Sequence, residues 1–241
     1  MKTLKTLFIA LFVVAIAPVA QAQTADEIIT AYFENTGGMD AWGELEGVKM
    51  IASANAQGME IPVEIYQMKD GRQMVKINLQ GQEITQFAFD GETMWTTNFM
   101  TGEAEKSDAE TTANMKQTVG DFPNPFYNYA DHGYSVELLG TETKEGTETY
   151  KIKLTQQPTM KDGKEEDNIS YHYFDTENMV IIASESEANG QMMTNTMSDY
   201  QEIDGLYFPF DMGMAGQNIT IKEIILNPEV SDTMFAFPEK K

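Results

Sequence analysis

Cysteine is absent from the 241-residue sequence. That excludes a disulfide scaffold and the thiol that anchors a lipoprotein, so an exported fold must rest on its core. Histidine is nearly absent: His132 and His172 are the two imidazoles. His172 alternates with Tyr171 and Tyr173 on an expected strand, and His132 adjoins Gly133 at an expected turn, so both are read as structural. Basic residues are few, 16 against 38 acidic, for a formal net charge of -22. Nucleic acid is excluded as a partner, because its phosphates select for lysine and arginine. The same charge opposes adsorption on anionic membranes and allows only transient membrane contact. Apolar runs are also short: past the first 22 residues nothing approaches the ~18 that a membrane-spanning helix requires.

Those first 22 residues, MKTLKTLFIALFVVAIAPVAQA, have Lys2 and Lys5, an apolar run from Leu7 to Ala17, and the small-x-small triplet Ala20-Gln21-Ala22. They are expected to be a secretory signal peptide cleaved after Ala22. Residues 23–241 are expected to form a single domain in the periplasm, large enough to bury a core of its own.

Thr24 and Glu27 have the spacing of a capping box ahead of a helix through Ile28, Ile29, Tyr32 and Phe33, ended by Gly37-Gly38. A second short helix is expected to carry Trp42 and Leu45. From Val48 the apolar period becomes two: Val48, Met50, Ala52 and Ala54, then Ile61, Val63 and Ile65, then Val75, Ile77 and Leu79. Such alternation predicts an antiparallel sheet with one apolar face. Asp90-Gly91 predicts a tight hairpin that places Trp95 on a short return strand. The stretch from Thr101 to Gly133 interrupts the pattern with an expected helix over 109–119 and a loop bearing Pro123 and Pro125. Long insertions of this kind tend to be lids or binding loops. Alternation then resumes, for about twelve short strands in all, with QQPTMKDGKEED read as an exposed charged loop. A mainly β, α+β sheet of this size folds against a second sheet, closes into a barrel, or curls around the few helices. The small Ala52, Ala54, Ala56 and Ala88 and the flexible Met192, Met212 and Met214 suit a lined cavity better than a dense plug.

Enzymatic machinery is missing. G-x-S-x-G, H-E-x-x-H, the P-loop and G-x-G-x-x-G do not occur. The acidic cluster from Asp162 to Asp167 lacks EF-hand spacing, so no metal or other cofactor is expected. Apolar recognition remains as the chemistry on offer, and the chain is expected not to be an enzyme.

TADEIITAYFENTGGMDAWGELEGVKM, FDGETMW, GYSVELLGTE followed by YKIKLT, SDYQEIDGLYFPFDM and VSDTMFAFP together resemble outer-membrane lipoprotein-sorting proteins of the LolA-like superfamily. The resemblance implies a large curved antiparallel sheet forming an incomplete half-barrel, with short helices as a lid over an apolar concavity. It implies a non-enzymatic carrier of lipoprotein acyl chains or lipid toward the outer membrane, with a membrane transporter as donor and an outer-membrane acceptor. A sensor or protein-interaction module on the same scaffold is the alternative. Relatives hold an arginine within the strand matching RQMVKINLQG, and in the best-known carriers such an arginine latches the lid. Here Met74 takes that position and Arg72 begins the strand, so an apolar latch through Met74 is expected. Alternation nominates Ile61, Val63, Ile65, Val75, Ile77, Leu79, Trp95, Phe208, Phe210 and Met212 as the cavity lining; an ordinary core role is the alternative for each.

Overall fold

The computed structural model describes residues 23–56, 58–188, 190–214, 216–231 and 233–238; the expected signal peptide lies outside them. Helix α1 spans Ala25–Asn35 and α2 spans Met39–Gly43. The Thr24 hydroxyl accepts from the Glu27 amide while the Glu27 carboxylate accepts from the Thr24 amide, which is the capping box. One face of α1 buries Ile28, Ile29, Tyr32 and Phe33.

Strands β1 (Gly47–Ala56), β2 (Met59–Met68), β3 (Gln73–Leu79), β4 (Gln82–Phe89), β5 (Met94–Thr97) and β6 (Ala104–Lys106) follow as a meander. Helix α3 (Ala109–Gln117) and an irregular segment lead to β7 (Ser135–Lys144) and β8 (Thr147–Thr155). A small separate hairpin, β9 (Thr159–Lys161) with β10 (Lys164–Glu166), precedes β11 (Ile169–Asp175), β12 (Ile181–Ala188), β13 (Gln191–Ile203), β14 (Leu206–Met214) and β15 (Gln217–Leu226). Thirteen strands form one antiparallel sheet in the order β6-β5-β4-β3-β2-β1-β15-β14-β13-β12-β11-β8-β7. The end strands β6 and β7 do not pair with each other, so the sheet stays open.

Among the described residues fifteen strands replace the dozen expected. The β9-β10 hairpin lies in what the charge pattern marks as loop. Helix α3 holds it: the Asn114 side chain donates to the Met160 carbonyl and accepts from the Met160 amide, and the Glu110 carboxylate accepts from the amides of Asp162 and Gly163. The turn after β4 is as tight as expected: the Asp90 amide donates to the Thr93 carbonyl at 3.3 Å, and Gly91 has a φ of 97°. The Asp90 carboxylate also accepts from the amides of Glu92 and Thr93, so an Asx turn supports the hairpin.

Register settles the faces. Directly opposed residues of an antiparallel pair point the same way. Val48, Met50, Ala52 and Ala54 of β1 oppose Gln67, Ile65, Val63 and Ile61 of β2, and Val63 and Ile65 oppose Ile77 and Val75 of β3. This face meets α1, α2 and the segment around Phe126 in the larger core. The outer face has a second core of Tyr66, Met68, Met74, Ala88, Trp95 and Phe235, with Phe237 packed against it. Ala88, expected to leave room in a cavity, therefore belongs to the opposite side. Among the described residues no helix is long and apolar enough to cross a membrane.

Candidate functional site

A cavity of about 220 Å³ lies between the helix-covered face and the segment Phe122-Pro123-Asn124-Pro125-Phe126. Tyr32 of α1 and Trp42 of α2 close it at one end, Val48 and Met50 of β1 form part of the floor, and His172, Met197, Tyr200 and Phe208 complete the wall. The volume falls below the ~300 Å³ at which drug-sized ligand sites begin. A larger apolar guest needs the cavity to widen.

Aromatic edges hold that segment down. Phe126 is 1% exposed and packs edge-on against Phe174 and His172, at centroid distances of 5.4 and 4.7 Å. Tyr127 meets Phe33 of α1 at 5.9 Å, and the Tyr129 hydroxyl donates to the Asp26 carboxylate. The Asn124 side chain reaches the Tyr32 hydroxyl at 3.5 Å. Trp42 is fixed from behind: its indole N–H donates to the Thr36 hydroxyl at 3.1 Å, which itself donates to the Tyr32 carbonyl at 2.7 Å, and its ring meets Phe208 at 5.0 Å.

The walls stay neutral. Burial raises the Tyr32 and Tyr200 hydroxyls above their ordinary range, and Tyr200 donates to the Ile181 carbonyl. Burial pushes the His172 imidazole down to about 4, with Nε2 at 2.9 Å from the Ser170 hydroxyl. His172 is half-buried and lines the cavity, whose lining is mainly apolar. Between about pH 6.5 and 4 the unfolded chain takes up a proton here that the folded chain refuses, so this group's contribution to stability falls as pH falls. Above pH 6.5 both states are neutral, and below 4 the loss levels off. The expected total is about 3 kcal/mol. Urea titrations of wild type and His172→Gln across this range check it: parallel stability curves would refute the assignment.

Of the residues nominated by alternation, Phe208 lines the cavity. Val63 and Phe210 are buried in the larger core, and Ile65, Val75, Ile77 and Met212 pack against it. Ile61 and Leu79 share their face and are half-buried. Two rows of opposed residues reach the cavity wall. One runs Ile61, Ala54, Ile219, Met212 and Met197; the other runs Val75, Ile65 and Met50. Both end on cavity residues, Met197 and Met50.

Met74 and Trp95 are not brought to this site. Met74 opposes Tyr66 and Ala88, and Ala88 opposes Trp95, all on the outer face. The strand alternation that turns Val75 inward turns Met74 outward, so the latch expected of Met74 is corrected by the register. Arg72 stacks over the Phe235 ring at 5.2 Å and pairs with Asp70, on the outer core as well. Tyr32, Trp42, Phe122, Phe126, His172 and Tyr200 were not nominated. A phenylalanine on each flank of the Pro-bearing loop was the signal for two of them.

No protein-family model matches the sequence, and no curated protein matches it. Solved structures do. A LolA superfamily protein from Nitrosomonas europaea aligns over 89% of this chain and 98% of its own, at 15% identity and a TM-score of 0.54. An outer membrane lipoprotein-sorting protein domain from Vibrio parahaemolyticus aligns over 87% and 94%, at 10% identity and 0.52. A DUF1329 family protein from Desulfovibrio piger aligns over 86% and 97%, at 15% identity and 0.52. The chain has the LolA-like fold.

Proposed function

We propose that this protein is a periplasmic, non-enzymatic carrier that takes an acyl chain of a lipoprotein or lipid into the cavity and moves it toward the outer membrane. The observation that supports this most is the neutral, mainly apolar cavity under the 122–126 segment, extended by the rows through Met197 and Met50. Each methylene removed from water contributes about 0.8 kcal/mol, so a palmitoyl-length chain offers on the order of 10 kcal/mol before ordering costs. That margin is set against the burial of Phe126 and the aromatic contacts that hold the segment. A transporter donor and an outer-membrane acceptor belong to the same reading. Ile61, Val63, Ile65, Val75, Ile77, Leu79, Phe208, Phe210 and Met212 are its proposed lining, joined by Trp42 and Tyr32.

Native mass spectrometry of protein purified from the periplasm tests the cargo, and tryptophan emission tests its place. Trp42 borders the cavity and Trp95 lies behind the sheet. Adding palmitate is expected to shift the emission of a Trp95→Phe variant and to leave a Trp42→Phe variant unchanged. Absence of co-purified lipid together with no palmitate response in either variant would sink the carrier reading.

A further inference from the structure

Hairpin topology puts alternate connections at opposite ends of the sheet. One end collects the β1-β2, β3-β4, β5-β6, β12-β13 and β14-β15 connections. Their sequences, AQGM, LQGQ, NFMTGE, NGQM and MAGQ, contain one charged residue, Glu103, although 22% of the chain is charged. At the opposite end KDGR, DGET, EG, TENMV and DG each carry an acid. The first end also presents apolar side chains to solvent: Met59 at 59% exposure, Phe99 at 58%, Met100 at 96%, Met192 at 51% and Met214 at 43%. The charged 156–168 connection, with the β9-β10 hairpin, also lies at this end, as does the approach to β7 with Asp131.

We infer that this rim docks transiently on the surface of a zwitterionic lipid bilayer. The apolar side chains stand on separate tips with Gly, Gln and Asn between them, and isolated fingers do not build the close-packed centre that a protein partner requires. A fluid bilayer needs no such complementarity, and flexible methionine adapts to it. The methionine and phenylalanine side chains enter the interface without the desolvation cost of a buried charge, and Glu103, at the strand end of its tip, is the one acid among the five connections. The net charge of -22 repels anionic lipid and so selects a neutral surface. Ile61 and Met212, members of the row that reaches Met197, lie two residues from Met59 and Met214 on their strands, so a docked rim brings that row to the lipid surface. The inference does not rest on the cargo reading, because it concerns partition of the whole protein.

Flotation with phosphatidylcholine vesicles tests it. Wild type is expected to float in part, and a Phe99→Ser/Met100→Ser variant to partition at least about tenfold less, since even partial burial of two apolar side chains in the interface contributes that much. Met59→Glu should lose flotation likewise. Met39→Glu, which charges an exposed methionine on α2 away from this rim, should float as wild type does. No flotation of wild type, equal flotation of the tip variants, or binding that requires added phosphatidylglycerol would each overturn the inference. Palmitate binding by any of these variants reads the cargo proposal separately.

Discussion

Phe126→Ala is expected to destabilise the folded protein by about 3–5 kcal/mol, the range for removing a buried aromatic ring. The ring is 1% exposed and touches Phe174 and His172, which belong to β11, so its loss leaves a void between the 122–126 segment and the sheet. Collapse of that void is opposed from both sides. The Asn124 side chain accepts from the Phe126 amide and fixes the local backbone, and Tyr127 and Tyr129 hold the following turn against α1. The segment should therefore loosen more than the sheet does. Equilibrium urea unfolding measures the stability term, and stopped-flow uptake of a fluorescent fatty acid measures the second consequence, faster entry. A stability loss under about 1 kcal/mol with unchanged uptake would mean that Phe126 does not hold the segment closed.

The sheet was legible in the sequence wherever one face alone is apolar. From Val48 to Leu79 the period-two pattern gives the strands and also the facing of Ile61, Val63, Ile65, Val75 and Ile77, because the residues between them include Lys49, Glu64, Lys76 and Asn78. At Met74, Ala88 and Trp95 the same reasoning loses its footing. Tyr66, Met68 and Met74 are apolar on the outer face too, so alternation no longer says which side meets the helices. The deciding information lies about 140 residues later, in Phe235 and Phe237 of the final segment. Two phenylalanines after the last strand need a surface to cover, and nothing local to Trp95 announces that it supplies one. The cavity was hidden for a related reason. Its walls come from α1, α2, the Pro-bearing segment and strands β1, β2, β11, β12, β13 and β14, which only the sheet order brings together.

Phe235→Ala is expected to cost a further 3–5 kcal/mol and to move the emission of Trp95 to longer wavelength. Phe235 is fully buried on the outer face, edge-on to Tyr66 at 6.3 Å and beneath the Arg72 guanidinium at 5.2 Å. Its carbonyl accepts the Trp95 indole N–H at 2.9 Å, and Phe237, with Lys106 over its ring, meets the indole edge at 6.1 Å. Removing the ring loosens the cover that the final segment gives to Met74, Tyr66 and Trp95. The indole N–H then finds water instead of a buried carbonyl, and a solvent-exposed indole emits further to the red. Arg72→Ala should produce a smaller change of the same sign, because a partly exposed cation over a ring contributes about 1 kcal/mol. Measured in a Trp42→Phe background, the two spectra should rank Phe235→Ala above Arg72→Ala above the parent. An unshifted Trp95 spectrum in Phe235→Ala would show that the final segment does not cover the indole. The cavity lies on the other face, so palmitate uptake by Phe235→Ala at 10 °C, where the weakened fold is retained, should match the parent; loss of uptake there would show that the two faces are coupled through the sheet.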